Sequence, residues 1–79
     1  MRNYQETENH ITVDIVKISE FNEIRIDRIE DKEGNFKAMD IRQWYCTRTN
    51  PEMAPTQKGI RLYKENIDQI LKAVETGRH

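Results

Sequence analysis

The sequence contains one cysteine, three glycines and no long hydrophobic run. Cys46 therefore cannot form an intrachain disulfide, and a cysteine-based metal cluster within one chain is excluded. No segment is apolar enough to span a membrane, and the first residues do not follow the pattern of a signal peptide. These absences predict a soluble intracellular protein with no membrane partner.

Residues that would support catalysis are also scarce. A nucleophile needs a base oriented beside it, and Cys46 has no histidine near it in the sequence. His10 and His79 lie at opposite ends of the chain, and no glycine-rich loop is present to cradle a phosphate. Asp and Glu are abundant, but nothing singles out one pair as an acid–base site. We therefore expect a protein that is not an enzyme and that uses no metal or cofactor.

The composition leaves two readings of the fold. Of the 79 residues, 35% are hydrophobic and 34% are charged, against typical values of about 45–50% and ~25%. Such a chain is either partly disordered or a small domain that completes its core with a second copy. Because the apolar residues follow regular patterns, the second reading is favoured, and we predict an obligate homodimer.

Charge is unevenly distributed along the chain. The net charge is -1, but residues 36–64 carry six Lys or Arg against two Asp or Glu, a local charge of +4. Residues 1–35 carry five against nine, a local charge of -4. A local field matters more than the total charge for capturing an anion. The basic segment contains most of the aromatic residues, which makes it the first candidate for a nucleic-acid site.

The hydrophobic periodicity predicts an α+β fold, a four-stranded antiparallel β-meander followed by one C-terminal amphipathic helix. A flexible tail is expected at residues 1–10, the domain at 11–76 and a short tail at 77–79. Both prolines are assigned to a loop at 47–56, because proline removes a hydrogen-bond donor from a strand. The predicted elements are, in order, strands at 11–18, 24–30, 36–46 and 57–62 and a helix at 64–76.

Strand alternation separates the two adjacent aromatics of the third strand. Trp44 shares a face with Arg42 and Asp40, which are expected to form an ion pair, while Tyr45 shares the other face with Met39 and Ile41. Trp44 is thus predicted as an exposed platform for base stacking and Tyr45 as partly core, an assignment that a bulge between them would reverse. Phe36, at the start of the Trp44 face, is either a second platform or core. The alternative for both rings is that they only pack the sheet.

Three motifs in the second half of the chain resemble one family. They are Asp-Ile-Arg-Gln-Trp-Tyr at 40–45, Glu-Met-Ala-Pro at 52–55 and Lys-Gly-Ile-Arg-Leu at 58–62, followed by the predicted helix. In this order they are similar to the positive cofactor 4 family of single-stranded DNA-binding coactivators, over about half the chain. The resemblance implies a β-β-β-β-α subunit and a homodimer whose sheets form opposed grooves for unpaired DNA.

The resemblance also assigns residues. Arg42 and Lys58 match basic positions that contact nucleic acid in the family. Tyr45 aligns with the stacking tryptophan and Trp44 with the tyrosine before it, so which ring stacks stays open. The full set of candidate nucleic-acid-binding residues is Arg42, Trp44, Tyr45, Lys58, Arg61, Lys37 and Phe36, with Lys17, Arg25 and Arg28 as a second rank.

The sequence as a whole predicts a dimeric single-stranded DNA-binding protein with little sequence preference. It would act as a transcription regulator or coactivator-like protein, and in replication or repair. Two alternatives remain: an RNA-binding module, since stacking does not read the 2′-OH, and a protein-interaction domain without nucleic-acid affinity. Eukaryotic coactivators of the family carry a serine-rich regulatory tail that is not found here, so a bacterial cytoplasmic protein associated with the nucleoid is expected.

Overall fold

Four antiparallel strands, ordered β1-β2-β3-β4 across one sheet, precede a single helix in the computed structural model, which describes residues 8–79. The predicted α+β meander with a C-terminal helix is confirmed. The predicted tail is only partly covered, since residues 1–7 lie outside the described part and residues 8–10 belong to the first strand. The elements are β1 (Glu8–Lys17), β2 (Asn22–Asp31), β3 (Phe36–Tyr45), β4 (Ala54–Tyr63) and α1 (Ile67–Gly77).

Three elements begin three residues away from the predicted position, namely β1, α1 and the proline-bearing strand β4. The strand begins at Ala54, so Pro55 lies in β4 rather than in the preceding loop. This is compatible with proline because β4 is an edge strand, where a missing N–H need not break a ladder. After Tyr63 the chain makes a turn in which Asn66 N donates to Tyr63 O at 2.9 Å, which delays α1 by three residues relative to the prediction.

The turn between β2 and β3 forms as its Gly-Asn sequence indicates. Asp31 Oδ1 accepts hydrogen bonds from Asn35 N at 3.0 Å and Glu33 N at 2.9 Å, and these bonds, that of Asn35 most, lower the pKa of Asp31. Gly34 has a φ of 89°, a conformation that costs glycine little and other residues more. This turn fixes the pairing of the two central strands.

Three irregularities bend the sheet strongly. The register shifts between Thr12 and Asp14 in β1, at Lys37 in β3, and at residues 56–58 of β4. Bulges increase local twist and coiling. As a result Glu8 in β1 reaches Arg61 in β4, with Oε2 3.2 Å from Nη1, although three strand spacings would separate the edge strands of a flat sheet by ~14 Å. The face that carries Asp27, Asp40 and Trp44 is therefore concave, and the opposite face is convex.

The two faces differ in burial. On the concave face Ile29 and Ala38 are fully buried. The convex face carries a run of apolar side chains, of which only Leu62 is buried, while Ile60 is 54% exposed. None of the residues of α1 is buried, and its predicted apolar stripe is exposed at Leu71 and Val74. Within residues 8–79, therefore, no other element covers the apolar side of the sheet or that of the helix.

Among residues 8–79, no helix has the length and apolar character needed to cross a membrane.

Candidate nucleic-acid interface

The concave face holds an open cleft of about 470 Å³ with an aromatic ring and several charges. Its floor comes from the central strands β2 and β3, and its rims come from the edge strands β1 and β4. The lining residues are Arg25, Asp27, Asp40, Arg42 and Trp44 on the floor, with His10, Thr12, Pro55 and Arg61 on the rims. The curvature of the sheet thus brings residues from all four strands around one ring.

Trp44 lies on the floor with one side of its ring occupied. The Arg25 guanidinium carbon is 4.0 Å from the ring centroid, a cation–π contact. Glu23 holds Arg25 in this position by a 2.5 Å hydrogen bond from Nε to Oε2. Trp44 is therefore half-buried rather than the freely exposed platform that the sequence predicts. A base entering the cleft would meet the Trp44–Arg25 pair, and both a ring and a guanidinium plane can stack on a base.

Tyr45 points to the opposite side of the sheet. Strand alternation places it with Met39 and Ile41, as the sequence predicts, but its side chain is 45% exposed instead of partly core. The reason is that no element of the described residues covers the convex face at Tyr45. Because Trp44 and Tyr45 face opposite ways, they cannot stack bases in the same groove of one subunit.

The bulge at Lys37 moves Phe36 to the convex side, so its predicted placement beside Trp44 is wrong. Ile29 pairs with Ala38 and Glu30 pairs with Phe36, which leaves Lys37 without a partner and reverses the alternation before it. The Phe36 ring instead contacts Arg28, whose guanidinium carbon is 4.9 Å from its centroid. Arg28 also donates to Glu30 Oε2 at 2.7 Å. Phe36 and Arg28 therefore lie away from the concave cleft.

Arg42 is on the concave face, where three of the five N–H donors of its guanidinium bond to residues of the described chain. Nε and Nη2 donate to the two carboxylate oxygens of Asp40, both at 3.0 Å, and Nη1 donates to Thr56 O at 3.0 Å. The predicted Asp40–Arg42 ion pair is thus present, and the hydrogen bonds that Arg42 donates to Asp40 raise the pKa of Arg42. Through the bond to Thr56, Arg42 ties the floor of the cleft to the bulge in β4.

That bulge presents Lys58 at the rim. Thr56 Oγ1 donates to Gln43 O at 2.9 Å and accepts from Lys58 N at 3.0 Å, so the three bulged residues are ordered. Gly59 follows, and a Cβ there would lie 2.8 Å from Ile41 O and 2.9 Å from Arg42 Cβ. Only glycine allows β4 to approach β3 this closely. The Lys58 side chain is exposed and forms no ion pair with any residue from 8 to 79.

Most other cations of the concave face are paired with carboxylates. Glu8 accepts from Lys37 Nζ at 2.6 Å and lies 3.2 Å from Arg61 Nη1, and Glu23 binds Arg25 and Lys17. Hydrogen bonding to Lys37, followed by the charge of Arg61, lowers the pKa of Glu8. The hydrogen bond from Arg25 does the same for the pKa of Glu23. In this network the cations are Lys17, Arg25, Lys37, Arg42 and Arg61, and the carboxylates are Glu8, Glu23, Asp27 and Asp40.

The charge of the basic segment is therefore largely offset by the acidic first third of the chain. Of this network, sequence reasoning missed Glu8, Glu23, Asp27 and the nearby His10, because their place depends on strand pairing. Their signal is the alternation Glu23, Arg25, Asp27 in β2, which the register sets against Trp44, Arg42 and Asp40 in β3. Without the register, the local charge of residues 36–64 overstates the positive potential of the face.

Asp27 is the least compensated charge in the cleft. Its Oδ1 is buried and accepts no hydrogen bond from any described residue, while Oδ2 lies 4.0 Å from His10 Nδ1. Asp40 is its direct neighbour on β3. Two carboxylates side by side on the floor oppose an incoming phosphate, so cations at the rim have to supply the attraction.

Comparison with known proteins gives one finding. The model of a protein family described as Transcriptional Coactivator p15 (PC4) matches residues 23–73. The match covers well over half of the chain and includes β2, β3, β4 and the first part of α1. It contains nine of the ten candidate residues, all except Lys17. No curated protein and no solved structure matches the chain.

Proposed function

Because this chain belongs to the transcriptional coactivator p15 (PC4) family, a family of non-enzymatic DNA-binding and coactivator domains, we propose that it is a homodimeric single-stranded DNA-binding protein. Membership itself supports a nucleic-acid-binding role related to transcription. The preference for single strands, the dimer and the residues that bind are the finer parts of the proposal. Action in replication or repair would follow from the same activity.

The open cleft around Trp44 is the observation that carries the proposal. It combines the two features that unpaired nucleotides require, a π surface for bases and cations for phosphates. Duplex DNA buries its base faces in the stack, so a ring on the floor of a cleft offers it little. Stacking and phosphate contacts do not depend on the donors and acceptors at base edges, which is why little sequence preference is expected.

Electrostatic capture of the DNA strand would begin at the rim of the cleft. It would proceed as cations exchange their carboxylate partners for phosphates. Lys58 has no ion pair with a described residue, so it can meet a phosphate without losing one. Arg61 and Lys37 would then share their carboxylate Glu8 with a phosphate at the β1–β4 edge. Since each phosphate neutralised adds about -0.7 to the salt slope on a single strand, we expect a modest slope for this charge-balanced face.

The dimer is supported by the uncovered apolar surfaces. The convex face and the α1 stripe expose Ile60, Leu71 and Val74 to more than half of their full area. Monomeric soluble proteins rarely expose large contiguous apolar patches. We propose that a second copy covers it, which leaves the two concave faces turned outward and open to strands.

Substitution at the rim tests the site assignment. Lys58→Ala should weaken binding of a fluorescent oligothymidine of ~20 nucleotides and reduce the salt slope by about 0.7, measured by anisotropy. Lys72→Ala, on the exposed side of α1, is the matched control and should leave both values unchanged. If the two variants behave alike, Lys58 is not in the site.

Matched ligands separate the alternatives in the same assay. Duplex DNA should bind more weakly than the single strand, and RNA of the same sequence should compete less well if the protein is a DNA binder. Equal competition by RNA would make the protein a general single-strand binder or an RNA module. Absence of binding to every nucleic acid at physiological salt would leave a protein-interaction domain.

A further inference from the structure

A second cleft, of about 600 Å³, lies beside the first. The turn between β1 and β2 forms one wall and the loop between β3 and β4 forms the other. Cys46 N donates to Phe21 O at 2.9 Å and joins the two walls, and the loop is ordered by a bond from Asn50 N to Thr47 Oγ1 at 3.0 Å. The residues that matter for its chemistry are Lys17, Phe21, Glu23, Arg48 and Met53.

Phe21 and Arg48 form a preassembled stacking pair in this cleft. The guanidinium carbon of Arg48 lies 5.5 Å from the centroid of the Phe21 ring. Arg48 is exposed and makes no ion pair with any residue that the structure describes, unlike most cations of the first cleft. A guanidinium that stacks on a ring keeps its N–H donors at the edge, where they can still bind a phosphate.

The two clefts are neighbours on one surface. Glu23 lines the second cleft and bonds to Arg25, which covers Trp44 in the first, so this ion pair is the partition between them. Phe21 is the backbone partner of Cys46, two residues beyond Trp44. A strand rise of ~3.4 Å and a strand spacing of ~4.8 Å put the backbones of Phe21 and Trp44 about 8 Å apart. Adjacent nucleotides of one extended strand can occupy such a pair of sites.

We propose that the second cleft is a further nucleotide subsite, in which a base stacks on the Phe21–Arg48 pair and a phosphate contacts Arg48 and Lys17. This inference rests on the proposed function and extends it. It gives the strand a direction across the concave side, from the Lys58 rim over Trp44 to the turn between β1 and β2. Phe21 takes the role of second ring that the sequence suggested for Phe36.

The test compares short and long oligonucleotides on the full chain. Wild-type protein should bind an oligothymidine of ~8 nucleotides more tightly than one of ~4, because only the longer strand fills both clefts. Arg48→Gln should lower affinity for the ~8-mer about five- to tenfold and leave the ~4-mer within about twofold, since one stacked base is involved. Phe21→Ala should do the same, and Arg78→Gln at the end of α1 is the matched control.

Each outcome decides the inference. Loss confined to the longer strand, with a salt slope lower by about 0.7 for Arg48→Gln, supports the subsite. Equal loss on both lengths would mean that the substitutions act through the fold of the first cleft, and no loss would mean that the strand does not cross here; either overturns it. Because Arg48 is exposed, its variant should fold even if Phe21→Ala does not. Wild-type protein that binds neither length would remove the proposed function and the subsite with it.

Discussion

The concave and convex faces of the same sheet differ in how far their side chains are paired or covered within the described chain. On the concave face, cations and carboxylates from all four strands satisfy one another, and Glu8, Glu23 and Asp40 are among the best-buried side chains of the described chain. On the convex face, apolar side chains such as Ile60 and Val16 are left about half exposed. The charged side chains of the concave face are therefore mostly paired with one another, whereas the apolar side chains of the convex face need a second surface to cover them.

The largest effect on dimerisation and stability should come from placing a charge on the exposed apolar surface. Leu71→Glu on the α1 stripe should dissociate the proposed dimer and lower the free energy of unfolding by about 3 kcal/mol, because a charge would be buried without a partner. Light scattering after gel filtration and urea titration at two protein concentrations measure the two effects. Lys72→Glu, the next residue, is the control. If the wild-type protein is a stable monomer, the apolar face does not need a second copy to cover it.

A smaller but still substantial loss of stability should follow when a methyl group is added between β3 and β4. Gly59→Ala would place Cβ against Ile41 O and Arg42 Cβ, below 3.0 Å from each, so the strands have to separate. We expect a loss of about 1–3 kcal/mol in stability and weaker single-strand binding, because Lys58 and Arg42 move with the bulge. Gly77→Ala, where an added Cβ meets nothing within 4 Å, is the control. Equal stability of the two variants would show that the close approach is not required.

Acid should lower the stability of the protein by protonating carboxylates of the concave face. The pKa of Glu8 lies below its usual 4.5 because Lys37 and Arg61 stabilise the carboxylate. Its contribution to stability is therefore complete above pH 4.5 and is lost as the pH falls through the lowered pKa. Urea midpoints measured from pH 7 to pH 3 should fall, and the fall should be smaller for Glu8→Gln. An identical pH profile for the variant would assign the acid sensitivity to other groups.

The smallest expected effect is a gain in affinity for single-stranded DNA. Asp27→Asn removes the least compensated negative charge from the floor of the cleft and should raise affinity for single strands about threefold. Stability should also rise slightly, because the buried Oδ1 of Asp27 accepts no hydrogen bond from a described residue. Asp68→Asn in the first turn of α1 is the control for charge at a distance. A loss of affinity would instead indicate that Asp27 contacts the ligand.

Sequence reasoning succeeded where the information is local. Period-two alternation found all four strands and separated Trp44 from Tyr45, and the i, i+3, i+4 spacing found α1. The same alternation predicted the Asp40–Arg42 pair. Motif order suggested the family, which residues 23–73 confirm.

It failed where placement depends on pairing between strands. No local signal marks the bulge at Lys37, so Phe36 was assigned to the wrong face. The partners of Arg61 and Lys37 lie in β1, more than 25 residues away, and only the curvature of the sheet brings Glu8 to them. Local charge along the chain was therefore a poor guide to the charge of the folded surface.

Trp44 permits the most direct test of whether unpaired nucleic acid binds the concave face. It is the only tryptophan in the chain, so its fluorescence during titration with an oligothymidine of ~20 nucleotides reports on that cleft. We predict quenching by the single strand that is weaker with the matching duplex and fades as salt is added. Binding detected by mobility shift without any change in Trp44 fluorescence would place the strand elsewhere, on the Tyr45 side, and would contradict binding at the concave cleft.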